Sequence, residues 1–150
     1  FSKLKNKNLI VIGDGPDLNK IKNFASPNIQ ILGYQDDSVV VDYMQRAKAF
    51  IYASEEDFGI ALVEAQSCGT PVIAYKVGGA SETVLHNKTG ILFNEQTEQS
   101  LQKAIEEFEA NYELFDAEFI SDHTKQFSRK IFEVKIKEFI DSKWDQFNNK

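Results

Sequence analysis

The sequence predicts an α/β fold: a parallel sheet flanked by helices, followed by a C-terminal helical extension. Three observations carry this. Short apolar runs rich in β-branched residues recur over the first 93 positions, and they lack the strict polar alternation of a strand with one wet face. Stretches of helical period fill the gaps between them, the signature of alternating strand and helix. After Asn111 the strand signal stops, and Phe132, Ile136, Phe139, Ile140 and Phe147 recur at helical spacing, forming a long apolar stripe expected to pack into a core.

In chain order the strands are expected at 9–12, 29–32, 49–52, 72–75 and 91–93. Most are followed by turn or capping residues: Gly13-Asp14-Gly15, Gly33, Ser54 and Asn94. Helices are expected at about 17–24, 38–46, 58–67, 80–85, 98–111, 112–119 and 127–147. Pro16 suits the first helical position, where its missing N–H costs nothing. The third helix stops at Cys68-Gly69-Thr70-Pro71, because Gly takes the left-handed position past a helix end and Pro cannot continue one.

The 150 residues, 42% hydrophobic and 27% charged, suit one domain over 1–150 and exclude a disordered chain or a disulfide scaffold. With 17 Lys and Arg against 23 Asp and Glu, the net charge of −6 gives no general grip on a phosphate backbone, so nucleic acid is not an expected partner. One cysteine, Cys68, and two scattered histidines, His86 and His123, make no metal-ligand spacing, and no metal or cofactor is expected. Cys68 reads as a packed thiol at a helix end. No apolar run is long enough to span a bilayer and no signal-peptide pattern opens the chain, which points to a reducing, cytoplasmic setting. The first residue is Phe1 rather than Met, and the polypeptide reads as a piece of a longer one.

In an open parallel sheet, ligands gather at the carboxyl ends of the strands, where loops converge and helix N-termini present free N–H groups. Three such places carry unusual residues: Gly13-Asp14-Gly15-Pro16, Gly33-Tyr34-Gln35, and Ser54-Glu55-Glu56-Asp57-Phe58-Gly59-Ile60. A short Gly-x-Gly lets backbone approach a ligand but equally makes a plain turn. Glu55, Glu56 and Asp57 alone are explained by the positive end of a helix dipole. Phe58-Gly59-Ile60 is not, because Gly at a helix entrance weakens the helix unless something small is wanted there. An entrance bared of side chain can offer N–H groups to a phosphate or sugar hydroxyl while carboxylates accept from other hydroxyls. With a helix start near Phe58, Glu64 would sit about 9 Å along the axis. Two acids so separated suit two diol-bearing groups flanking a diphosphate.

The stretch Glu56-Asp57-Phe58-Gly59-Ile60-Ala61-Leu62-Val63-Glu64, continued by Cys68-Gly69-Thr70-Pro71-Val72-Ile73-Ala74 and Gly78-Gly79, resembles the donor-site signature of the retaining glycosyltransferases of GT-B architecture, marked by Glu-x7-Glu. Leu9 to Pro16, Ile31 to Tyr34 and Gln126 to Phe132 are similar to further segments of that family. The resemblance implies one Rossmann-like half of a GT-B enzyme, the nucleotide-sugar-binding half. It makes Glu56 the catalytic carboxylate beside the transferred sugar, and Phe58, Gly59 and Ile60 the backbone donors. Glu64 would take the ribose diol, Gly13, Asp14 and Gly15 the diphosphate region, and Tyr34 and Gln35 the base. The Glu-Glu-Asp-Phe-Gly-Ile form is similar to mannosyltransferases that use GDP-mannose in bacterial surface-polysaccharide assembly, with UDP-sugars the main competitor. The acceptor would be a glycan or lipid-linked glycan, and the whole enzyme peripheral at the inner membrane face. The family's diphosphate-holding Arg and Lys and its N-terminal acceptor half fall outside this chain, which alone is expected to be inactive; the far end of the C-terminal stripe would reach that half, leaving Trp144 and Phe147 exposed here.

Two rival classes share the pattern of elements. A phosphoacceptor regulatory module needs paired acids after the first strand and an Asp directly after the third, where this chain has Gly13-Asp14-Gly15 and Ala53-Ser54-Glu55. The nucleotide-sugar-binding half of an epimerase is not separated from a transferase by these residues.

Overall fold

The computed structural model describes residues 1–148. Its elements run β1 (Leu9–Ile12), α1 (Leu18–Phe24), β2 (Ile29–Gly33), α2 (Asp37–Arg46), β3 (Phe50–Tyr52), α3 (Ile60–Ser67), β4 (Val72–Tyr75), α4 (Ala80–Thr83), β5 (Gly90–Phe93), α5 (Glu98–Ala110), α6 (Ala117–Thr124) and α7 (Arg129–Asn148). The chain forms two compact units, residues 1–43 and 44–150. All strand pairs are parallel, but the strands form two sheets, β1-β2 and β3-β4-β5, where the sequence suggests one. Apolar periodicity marks a segment as a strand; it does not say which strand lies beside it.

In the first unit, Leu9, Ile10 and Val11 stand opposite Ile29, Gln30 and Ile31, and the register shifts so that Ile12 faces Gly33. Asn28 fastens the N-terminal segment by donating from Nδ2 to the carbonyls of Phe1, Leu4 and Lys7. No residue of 1–43 is buried.

The second unit has a core. Val72, Ile73 and Ala74 of β4 are fully covered, as is expected of a central strand with helices on both faces. Leu62 and Ala65 of α3, Ile91 of β5, Ala104, Ile105 and Phe108 of α5, and Ile120 of α6 close around them. Thr97 caps α5 by accepting from the Ser100 N–H. Gly69 takes φ 78° just past α3, the conformation its position in the sequence calls for.

Four expectations are corrected. Pro16 precedes α1 by two residues and sits in a turn closed by the Leu18 N–H to the Gly15 carbonyl. The segment expected to be helical at 112–119 is a 3₁₀ turn, Tyr112–Leu114; α6 starts only at Ala117, because Asp116 caps it by accepting from Glu118 and Phe119. The third helix begins at Ile60 rather than Phe58. The α7 stripe is not core, since no residue of that helix is buried; the exposure of Trp144 and Phe147 at its far end, 64% and 74%, is what the family resemblance implies.

Candidate functional site

The predicted residues fall into two groups, one in each unit. Gly13, Asp14 and Gly15 follow β1, and Tyr34 and Gln35 follow β2, so all five lie at the carboxyl end of the two-stranded sheet. The Gly13 N–H donates to the Gly33 carbonyl, joining the two loops, and both glycines hold positive φ, 135° and 70°. A side chain added at Gly13 or Gly15 would meet nothing within 4 Å, so the turn is open on its outer side. Asp14 turns its Oδ1 onto the Gly15 N–H. Tyr34 is 73% exposed, whereas Gln35 spends its amide N–H on the Leu32 carbonyl.

The second group surrounds the entrance of α3. Gly59 caps that helix with φ 77° and ψ 58° and with no side-chain capping bond. The left-handed backbone is what requires glycine here. Among the described residues, the N–H groups of Phe58, Gly59, Ile60 and Ala61 have no acceptor in the protein. They form a cluster of free donors at the positive end of a helix, an arrangement suited to an anion or a hydroxyl.

Glu64 lies four residues into α3, about 6 Å along the axis rather than 9 Å. Leu62, Ala65 and Gln66 face the core, while Ile60, Glu64 and Ser67 share the exposed side. Helical side chains as a rule lean toward the N-terminus, so the exposed position of Glu64 one turn in is compatible with a carboxylate near the turn that holds Ile60.

Glu56 is held by its backbone. Its carbonyl accepts from the Gly79 N–H at 2.8 Å, and it forms an isolated parallel bridge with Gly78. A Cβ at Gly78 would lie 2.1 Å from the Glu56 carbonyl oxygen, and one at Gly79 would lie 2.2 Å from that of Phe58. Only hydrogens fit between these two loops. Gln96, after β5, ties in the same region by donating to the Ala53 carbonyl. The Phe58 ring meets Phe127 edge-on at 5.8 Å, and Phe127 in turn meets His123 at 5.8 Å.

Tyr52, at the end of β3, donates its hydroxyl to Glu56 Oε1 at 2.7 Å. Burial first, then the hydrogen bond and charge of Glu56, push the phenol up to about 12. Sequence reasoning missed Tyr52 because a tyrosine closing an apolar run reads as strand. Gly78-Gly79 entered the sequence reading only as part of the family resemblance; the close approach to residues 56–58 is a tertiary fact. Among the described residues no group of three or more His, Cys, Asp and Glu could hold a metal ion. No helix among them is long and apolar enough to cross a membrane.

A helix entrance with free N–H donors, flanked by acids and set at the carboxyl end of a parallel sheet, agrees with a match to the family model of the glycosyl transferases group 1, which covers residues 1–126. The chain belongs to that family. The chain is 34% identical over 128 residues to an uncharacterized glycosyltransferase of Methanocaldococcus jannaschii, covering 82% of this chain and 36% of the relative. It is 30% identical over 116 residues to the GDP-mannose-dependent alpha-(1-6)-phosphatidylinositol monomannoside mannosyltransferase of Mycobacterium tuberculosis, covering 66% and 29%. The structure of Anabaena HepE in complex with UDP-glucose matches with a TM-score of 0.69 at 24% identity, covering 93% of this chain and 41% of that one. The chain thus spans about a third of the length of these curated relatives.

Proposed function

We propose that this chain is the donor-binding part of a retaining hexosyltransferase, with the α3 entrance receiving the sugar end of a nucleotide sugar. The observation that carries the reading is the set of unpartnered N–H groups from Phe58 to Ala61, with Glu56 ahead of them and Glu64 one turn beyond. In this reading Glu56 accepts from hydroxyls of the transferred hexose, the amides of Phe58, Gly59 and Ile60 donate to hydroxyl and phosphate oxygens, and Glu64 takes the ribose diol. The bared amides also stabilise negative charge as the nucleoside diphosphate departs. Gly13, Asp14 and Gly15 form a turn open enough for phosphate oxygens, and Tyr34 offers an exposed ring to a base. No metal takes part in this scheme.

The donor proposed is GDP-mannose, on the form of the Glu-Glu-Asp-Phe-Gly-Ile segment; a mycobacterial relative whose name states that dependence supports it. A UDP-hexose is the second reading, supported by the UDP-glucose bound to a protein of like fold. The acceptor, a glycan or lipid-linked glycan, and a partner half that binds it, belong to the whole enzyme.

A thermal-shift panel with GDP, UDP, ADP, GDP-mannose and UDP-glucose decides between the bases. Ligand at about 100 times its dissociation constant adds about 2.7 kcal/mol. The expected result is a shift with GDP and GDP-mannose that Glu64→Ala weakens for both ligands and Glu56→Ala weakens only for the sugar-bearing one. Equal losses in both variants with both ligands would remove the assignment of roles, and sugar transfer by the purified chain alone would disprove the need for a partner half.

A further inference from the structure

We propose that Tyr52 is a positioning residue for the Glu56 carboxylate, an inference that rests on the donor-site reading and extends it to a residue that reading does not use. Glu56 lies in an exposed loop, where a free carboxylate side chain would sample several rotamers and lose that freedom on binding. Three contacts remove much of the freedom beforehand. The Gly79 N–H fixes the Glu56 carbonyl, the bridge to Gly78 fixes the strand-like path of the backbone, and the Tyr52 hydroxyl takes Oε1 at 2.7 Å.

The tyrosine is itself placed. It closes β3, pairs with Ala74 of the buried strand β4, and stacks its ring against Phe50 with centroids 6.3 Å apart. The phenol therefore reports the position of the sheet to a carboxylate four residues downstream. Among the described residues Oε2 of Glu56 has no partner. One oxygen is used to orient the group and the other is left to accept a hydroxyl proton from a hexose, the division of labour expected of a preorganised site. The strongly raised ionisation of Tyr52 agrees with a phenol that stays a donor throughout the working pH range.

The test uses Tyr52→Phe in the full 150-residue chain, a change that keeps the ring and its stack and removes only the hydroxyl. Calorimetry or ligand-detected NMR compares GDP with GDP-mannose and UDP with UDP-glucose. A positioning role predicts about a tenfold loss for the sugar-bearing ligand and no change for the bare diphosphate, because only the hexose meets the carboxylate. A purely structural hydrogen bond moves both ligands together or neither, and either result would overturn the proposal. Tyrosinate absorbance, read against Tyr52→Phe to isolate this ring, supplies a ligand-free arm: Glu56→Gln should lower the Tyr52 transition from about 12. If that transition stays where it was, the contact is absent and Tyr52 loses its role while the donor reading stands. If the unmodified chain binds none of the four ligands, the donor reading falls and takes this role with it.

Discussion

Gly79→Ala isolates the close approach between the loop after β4 and the acidic loop. Gly79 has φ −59° and ψ −23°, a conformation alanine adopts freely, so the substitution carries no backbone strain of its own. The difficulty is space. The new Cβ would stand 2.2 Å from the Phe58 carbonyl oxygen and 2.4 Å from its carbon and Cα, where ordinary contact begins at 3.4 Å. All three neighbours are backbone, so no side chain can swing away, and the loops must part by about 1 Å. Overpacking of this kind costs about 1–3 kcal/mol. Parting also stretches the Gly79 N–H bond to the Glu56 carbonyl, a further 0.5–1.5 kcal/mol or so. The expected loss is therefore about 2–4 kcal/mol, a fall of about 1–2 M in the urea midpoint at a slope near 2 kcal/mol per M. Gly15→Ala is the control, since its Cβ meets nothing within 4 Å and should stay within about 0.5 kcal/mol of the parent. Equal midpoints for Gly79→Ala and Gly15→Ala would refute the idea that a glycine gap seats the acidic loop.

Leu62→Ala removes a fully buried side chain beneath the α3 entrance and should cost about 2–5 kcal/mol by urea unfolding; a loss below about 1 kcal/mol would mean the core collapses around the cavity. Asp116→Ala deletes the cap of α6 and should cost about 0.5–2 kcal/mol, with Asp116→Asn recovering most of it, as read from the same curves. Because the Tyr52 phenol ionises later in the folded chain than its ordinary 10.0, it contributes stability that is whole below pH 10 and is lost as pH climbs through about 12. Tyr52→Phe should accordingly flatten the fall in stability between those two values, measured as the difference between parent and variant; identical slopes would show that the phenol is not coupled to Glu56.

How much of this was written in the sequence varies with how local the physics is. Val72 to Tyr75 announced itself as a covered strand because both its faces are packed and no polar residue was tolerated. Gly69 before Pro71 marked the end of the third helix, since a left-handed turn is settled within a few residues. Gly59 was noticed as costly at a helix entrance, but its reason, a left-handed cap, moved the helix start by two residues and drew Glu64 closer to the entrance. The stripe on α7 has the period of a packed helix and yet is exposed, because periodicity records that a face is apolar and not what covers it. The separation into two sheets, the glycine gap at 78–79 and the Tyr52 hydroxyl on Glu56 all join residues through tertiary placement, which no window of neighbouring residues contains.

The stretch from Phe1 to Tyr43 has helices and strands but no position sealed from solvent, and that sets its kinetics. Its amides are shielded by hydrogen bonds alone, so small local openings suffice to exchange them for deuterium, while those of Val72 to Ala74 wait for the enclosing structure to come apart. The glycine turn at 13–15 consequently rides on a stretch expected to open more readily than the β3-β4-β5 core. A phosphate captured there would spend part of its affinity on quieting that motion, and slowed exchange around β1 would be the visible trace of its arrival.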